Sequence, residues 1–330
     1  EQNRVGENPS LLIGIGASAG GLEALQQFFE HMPDNSGLSF VVVQHLSPDY
    51  KSLMADILGK HTGMKVIQAE NGMAVRPDTV YLIPPKNNMT LENGKLMLTE
   101  YVHGRLNHPI DIFFTSLAKE QKERGIAVVL SGTGSDGTSG IKVVKEHGGL
   151  VIVQKPETAK FDGMPKSVIN TGLADFVLAP EEIVEEILNF CHYPTIMKPQ
   201  EKEVFLSDEE AFKNIYAILK KESGIDFTNY KRTTLLRRIE RRMVVTHSTS
   251  LLKYVELLGD NMEEAHTLVK EILIGVTNFF RDSDFFEKLK YHAIYNIVEK
   301  SEEKESIRVW SAGCSTGEEA YSLAILFFEV

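Results

Sequence analysis

The sequence predicts an α/β protein: a doubly wound, mostly parallel sheet, then an all-α region, then the truncated start of a second α/β domain. Three observations lead there. From Leu11 to Leu178, short apolar β-branched runs alternate with amphipathic segments, the pattern of parallel strands joined by crossover helices. From Phe205 to Lys300 apolar residues fall almost entirely at helical spacing. A single further strand signal, Ile307–Ser311, then runs into a glycine turn and a helix from Glu318 onward. A chain of 330 residues is also longer than one typical core organises.

Leu11–Gly16 reads as a buried strand ending in glycines, and Gly21–His31 as a helix with Leu22, Leu25, Phe28 and Phe29 on one face, stopped by Pro33. Ser39–Gln44 is a second strand, Leu53–Gly59 a short helix and Lys65–Gln68 a short strand. Val80–Ile83 is a strand stopped by Pro84 and Pro85. Met89–Leu91 and Lys95–Leu98 flank Asn93-Gly94, a hairpin signal because a type I′ turn needs positive φ at both central residues. Helix Ile110–Lys122 follows Pro109. Strand Ile126–Leu130, helix Ser139–Glu146, strand Leu150–Gln154, strand Phe176–Leu178 and helix Glu181–Phe190 complete the first domain, 11–190. Two prolines and weak periodicity mark 191–204 as a linker. The all-α domain is expected over 205–300, with helices Glu209–Lys221, Thr233–Met243, Ser250–Leu258 and Met262–Leu273. The last domain is expected over 301–330 and incomplete, since one strand with one helix leaves a sheet face uncovered.

Composition narrows the function. Hydrophobic residues make up 42% and charged residues 25%, the balance of a globular protein. No apolar run reaches the roughly 20 residues of a membrane span, so the chain is not expected to be membrane-embedded. Two cysteines exclude a disulfide framework and point to a cytoplasmic location. A net charge of −11 argues against general nucleic-acid binding. The histidines lack metal-site spacing such as HExxH, and no metal is expected.

Gly16-Ala17-Ser18-Ala19-Gly20 lies at a strand-to-helix turn with the G-x-S-x-G spacing of a nucleophile elbow. The turn presents the serine hydroxyl, and the Ala19 amide at the helix start is placed to stabilise an oxyanion. Gly14-Ile15-Gly16-Ala17-Ser18-Ala19 equally fits the G-x-G-x-x-A loop of dinucleotide-binding domains. That loop wants an acid at the end of the second strand; here the strand runs into His45, which suits a general base. A third loop, Ser131-Gly132-Thr133-Gly134-Ser135-Asp136-Gly137, follows another apolar strand. Ser18, His45 and Asp136 thus each follow a strand C-terminus, where open α/β sheets form their crevice. The acid would hold the imidazole in the tautomer that accepts the serine proton. Taken singly, the serine also suits a helix cap, the histidine a polar strand end and Asp-Gly a turn.

The segments Ile15–Gly21, Val43–Leu46, Ser131–Gly137 and Phe161-Asp162-Gly163-Met164-Pro165 together resemble the CheB protein-glutamate methylesterases. The resemblance implies Ser18, His45 and Asp136 as a catalytic triad that needs no cofactor, with the Thr133 backbone assisting at the oxyanion. Thr133 stands where the family commonly has methionine, which a backbone role tolerates. The implied substrates are glutamyl methyl esters, with glutamines as a side substrate, on the cytoplasmic helices of chemoreceptors. The family's preceding phosphorylatable receiver domain is not expected here, since only a short tail precedes Leu11.

Lys231, Arg232, Arg237, Arg238, Arg241 and Arg242 crowd into one helical stretch. This reads either as a solvated face or as a dock for an acidic partner. With Gly224-Ile225-Asp226-Phe227, Thr277–Asp282 and Gly313–Glu319, the region resembles CheR glutamate methyltransferases. That resemblance implies S-adenosylmethionine contacts at Thr277, Arg281, Glu319 and, less directly, Glu318, in a site expected to be incomplete. Gly275 replaces an asparagine of the family. The reading is an esterase fused to part of a methyltransferase; a non-catalytic receptor-binding scaffold and the dinucleotide reading are the alternatives.

Overall fold

The computed structural model describes residues 11–44, 54–101, 107–192, 209–273, 279–301 and 306–330. The chain divides into two compact units, Glu1–Ile272 and Leu273–Val330.

The first unit opens with β1 (Leu12–Ala17), α1 (Gly21–His31), β2 (Ser39–Gln44), α2 (Met54–Leu58), β3 (Lys65–Gln68), β4 (Met73–Ala74) and β5 (Thr79–Leu82). The hairpin β6 (Asn87–Glu92) and β7 (Lys95–Glu100) follows, then α3 (Pro109–Gln121), β8 (Ile126–Val129), α4 (Thr138–Glu146), β9 (Leu150–Gln154), α5 (Gly163–Ile169), β10 (Phe176–Leu178) and α6 (Pro180–His192). Seven strands form one sheet in the order β10-β9-β8-β1-β2-β5-β3, with every described pairing parallel. The predicted hairpin is present: Asn93 and Gly94 both have positive φ, and β4 joins it in a small antiparallel sheet. Side chains alternate across the large sheet. Ile13, Ile15, Phe40 and Val42 pack with Phe28 and Phe29 of α1 and Ile183 and Ile187 of α6. Leu12, Val41, Val43 and Val129 pack with Phe113 and Phe114 of α3, Ile141 of α4 and Met164 of α5.

The order contains a reversal. From β1 the chain passes to β2, then out to β3 at the edge, inserts β5 between those two, and returns to the opposite side of β1 as β8. The chain leaves β1 into α1 on one face and β8 into α4 on the other. A crevice opens between such divergent connections at the strand C-termini. Close packing fixes this region. A Cβ on Gly14 would lie 3.0 Å from Leu117 and Phe113, and one on Gly16 would lie 2.5 Å from Ile110. The glycines that suggested a cofactor loop therefore admit α3 against the sheet, and the space a pyrophosphate would need beside Gly14 and Gly16 is filled by side chains.

The rest of the first unit holds α7 (Glu209–Ser223), α8 (Arg232–Val245), α9 (Leu251–Asp260) and α10 (Met262–Ile272). Its core includes Phe212, Leu219, Phe227, Ile239, Met243, Tyr254 and Leu268. The first unit closes at Ile272.

The second unit contains α11 (Ser283–Leu289), a π-helical turn at Lys290–Ile294, α12 (Tyr295–Lys300) and α13 (Glu318–Glu329) around Phe286, Ile294 and Leu326. The strand expected at Ile307–Ser311 does not form. A strand exists only through hydrogen bonds to a neighbour, and the described residues supply none; Trp310 is 92% exposed. Among the described residues, no helix is long and apolar enough to cross a membrane.

Candidate active site

Ser18 directly follows β1. Its amide donates to Ser131 O (3.0 Å), while its carbonyl accepts from Gly21 N (2.9 Å) and from Gln44 Nε2 (3.3 Å). The turn into α1 is completed by Gly20, at φ +72, where a Cβ would also meet Lys160 at 2.7 Å and Ser131 Oγ at 2.8 Å. Ser131, fully buried, ties three loops together: Oγ donates to Ala19 O (2.9 Å) and accepts from Phe161 N (3.0 Å). Its amide donates to Gln154 Oε1 (2.8 Å). A Cβ on Gly132 would lie 2.9 Å from Ser18 Cβ and 2.2 Å from Met164 Sδ, so the second loop lies directly beside the serine. The Phe161–Pro165 motif places Met164 beneath Gly132 and presents Phe161, 42% exposed, beside Gly20.

Asp136 is held by a feature the sequence reading missed. Its Oδ2 accepts from Ile110 N and its Oδ1 from Asp111 N, both at 3.1 Å, at the first turn of α3. Orphan amides of a helix N-terminus hold a carboxylate without a counter-cation. Pro109, at the first helical position, was the available signal for such an end. Burial pushes the Asp136 carboxyl up from its ordinary value, the Asp111 carboxylate adds to this, and the two amides and His108 pull it back. Ile110 packs against both Gly16 and Gly137, so one side chain spans from the strand before Ser18 to the residue after Asp136. His108 Nδ1 lies 3.8 Å from Asp136 Oδ1. Burial raises the Tyr101 phenol, its hydrogen bond with Asn107 lowers it and the Asp136 charge raises it further. His108, Asp111 and Asp136 are close enough to share an ion, but Asp136 already binds two amides and Asp111 Oδ1 binds Gly140 N at 2.7 Å.

Around these fixed groups several polar atoms are left over. Among the described residues, Ser18 Oγ and the amides of Ala19 and Thr133 make no hydrogen bond. Ala19 and Thr133 are exposed and Ser18 half-buried. His45 lies outside the described residues; it directly follows Gln44, the last residue of β2, whose side chain reaches Ser18. A hydroxyl, two backbone donors and an acid fixed on a neighbouring loop are the kinds of group a serine-hydrolase class of site uses.

The comparisons agree with that class. The family model described as CheB methylesterase matches residues 13–187, more than half of the chain; the chain belongs to the CheB methylesterase family. Residues 210–273 match the all-alpha domain of CheR methyltransferase and 275–330 its SAM-binding domain. A crystal structure of the Thermotoga maritima CheB methylesterase catalytic domain is similar, with 35% identity and a TM-score of 0.52, covering 55% of this chain and 98% of that one. The Bacillus licheniformis protein-glutamate methylesterase/protein-glutamine glutaminase is 37% identical over 185 residues, 54% of this chain and 52% of that protein. An uncharacterized 104.1 kDa protein in the hypE 3′ region of Rhodobacter capsulatus is 41% identical over 301 residues, 84% of this chain and 31% of that protein. The chain therefore spans about half the length of the named methylesterase and less of the Rhodobacter protein.

The methyltransferase-type residues fare differently. Thr277 lies outside the described residues. In the second unit Glu319 accepts from Ser311 Oγ (2.8 Å) and Glu318 from Thr316 Oγ1 (2.5 Å), beside the N-terminus of α13 at Gly317. Phe280 N donates to Ser322 Oγ (2.9 Å), which brings the segment carrying the exposed Arg281 to the same helix. With the 307–311 strand unformed, the described residues do not assemble the sheet on which S-adenosylmethionine would rest.

The arginine dock is corrected. Only Arg237 is exposed; Arg238, Arg241 and Arg242 are buried and bonded within the unit. Arg238 donates to the carbonyls of Lys145 (3.0 Å) and Glu146 (3.3 Å). Arg241 pairs with Asp175 (2.5 Å), and Arg242 binds Glu264 through two hydrogen bonds of 2.8 and 2.5 Å. A face already spent on internal carboxylates and carbonyls is closed to an outside partner.

Proposed function

We propose that residues 12–192 hydrolyse the methyl esters of protein glutamates, and deamidate glutamines, on the helical cytoplasmic regions of chemoreceptors. Such substrates place the enzyme in the cytoplasm. Ser18 Oγ attacks the ester carbonyl while His45 takes its proton. The amides of Ala19 and Thr133 receive the developing oxyanion, and Asp136 orients the imidazole and stabilises its cation. Methanol leaves with the proton returned by His45. Water, deprotonated by His45, then releases the glutamate and regenerates Ser18.

One observation carries this reading: the Ser18 hydroxyl and those two amides lack partners among the described residues, although the loops bearing them are tied down on every side. A fluorophosphonate probe tests it. Covalent labelling is expected in the native chain, absent in Ser18→Ala and sharply reduced in His45→Ala. A folded native chain that takes no label overturns the esterase and leaves a receptor-binding scaffold. S-adenosylmethionine is the cofactor class of the CheR-type part, but the described residues do not assemble its site, and no methyl transfer is assigned to this chain.

A further inference from the structure

A buried charge network joins the α7–α10 region to the esterase. Lys145 Nζ, at the C-terminal end of α4, binds Asp175 (2.8 Å) and Glu271 (3.0 Å). Asp175 Oδ2 also accepts from Arg241 (2.5 Å) and from Val151 N (2.8 Å). Glu271 faces Arg241 (3.5 Å) and Arg242 (3.6 Å), and Arg242 continues to Glu264, which also accepts from Tyr254 OH (2.8 Å). Lys145, Arg241 and Arg242 thus balance Asp175, Glu264 and Glu271, all buried. Arg238 caps the other exposed feature of that end, the terminal carbonyls of α4, where a cation opposes the negative pole of the helix. Val245 adds an apolar contact to the esterase core.

The position of this joint matters. Helix α4 spans only Thr138–Glu146. Its N-terminal end starts at Gly137, immediately after Asp136, and is held by Asp111 through Gly140 N (2.7 Å). Its C-terminal end is the joint. A short, well-packed helix moves as a rigid piece, so fixing one end fixes the other.

We propose that the helical region is a structural arm of the esterase, with Arg241 and Arg238 as positioning residues that set the Asp136 loop through α4. The positioning claim rests on the esterase reading above; the joint itself does not.

The test uses the whole chain with a protease-recognition sequence added within 193–208. After cleavage the two fragments are expected to co-elute on gel filtration, with kcat toward p-nitrophenyl acetate retained. Arg241→Met is expected to release the fragments and lower kcat roughly tenfold at unchanged KM, as a small misplacement remote from the chemistry does. Arg241→Lys, which keeps a cation against Asp175, is expected to restore co-elution and most of kcat. If Arg241→Met does not fold, Arg238→Ala, which removes only bonds to main-chain carbonyls, carries the same comparison. Native fragments that separate overturn the joint. Variant fragments that separate while kcat stays within about twofold overturn the positioning role. A native chain that hydrolyses nothing overturns the esterase reading and the positioning claim together, while co-elution still decides the joint.

Discussion

The Ser18 crevice and the α8 arginines are both concentrations of polar groups, and the fold treats them in opposite ways. At the crevice the loops are fixed by backbone bonds and close glycine packing, while the hydroxyl and amides that could meet a substrate stay open among the described residues. On α8 the guanidinium groups of Arg238, Arg241 and Arg242 are turned inward and held by Asp175, Glu264, Glu271 and main-chain carbonyls. The proposed reactive site keeps its polar groups under-used on a rigid frame; the joint pairs its charges internally. Residue type alone does not separate the two.

The sharpest way to break the comparison is at Asp136. Asp136→Asn keeps a side chain that fits against the first turn of α3 but offers the imidazole the wrong partner. Ester hydrolysis is expected to fall about 10⁴-fold, read as kcat from methanol release, with the helix cap weakened by only about 1 kcal/mol. Survival of most of the activity would place the acid elsewhere. At the joint the balance reverses. Glu271→Gln leaves Lys145 and Arg241 with one buried countercharge fewer. It is expected to cost about 3–5 kcal/mol in urea unfolding; a loss under about 1 kcal/mol would show the network to be hydrated and loose.

Acid titration sharpens the same point. Burial raises the Glu271 carboxyl, but Arg241, Lys145 and Arg242 outweigh it and hold it at about 2, below its ordinary 4.5. A depressed carboxylate stabilises the fold above its unfolded value, and that contribution is lost as pH falls through the folded one. Stability is therefore expected to decline between about pH 4.5 and 2, with Glu271→Gln flattening that limb. The smallest effect belongs to the exposed Lys160–Glu23 pair (2.8 Å). Lys160→Ala is expected to change stability by less than about 0.5 kcal/mol by thermal melting, although Lys160 borders the crevice at Gly20.

Local patterns in the sequence were a sound guide wherever the chain's own periodicity decides. Strands Leu150–Gln154 and Phe176–Leu178 and the Asn93-Gly94 turn appear where the alternation and the turn chemistry put them. The Ser18 elbow and the glycine loop before Asp136 were visible for the same reason. What escaped depends on partners remote in sequence. The amides of Ile110 and Asp111 reach Asp136 across 26 and 25 residues; Pro109 marks a helix start but not which carboxylate it holds. The arginines of α8 were recognisable as one helical face, but their burial is set by Asp175 and Glu271. The segment Ile307–Ser311 has the composition of a strand, yet pairing is a property of two segments. The glycines at 14 and 16 satisfied two motifs at once, and only the descent of α3 onto β1 explains them.

That descent has a mechanical consequence. With no side chain between backbone and helix at Gly16, Ile110 rests on the strand itself, and the first turn of α3 is lowered to the level of the carboxylate it grips. The glycine works as a missing shim. Thickening it by a single methyl group would press on Ile110 and push the first turn of α3 away from the carboxylate, so an alteration deep in the sheet would be felt first at a loop on its rim.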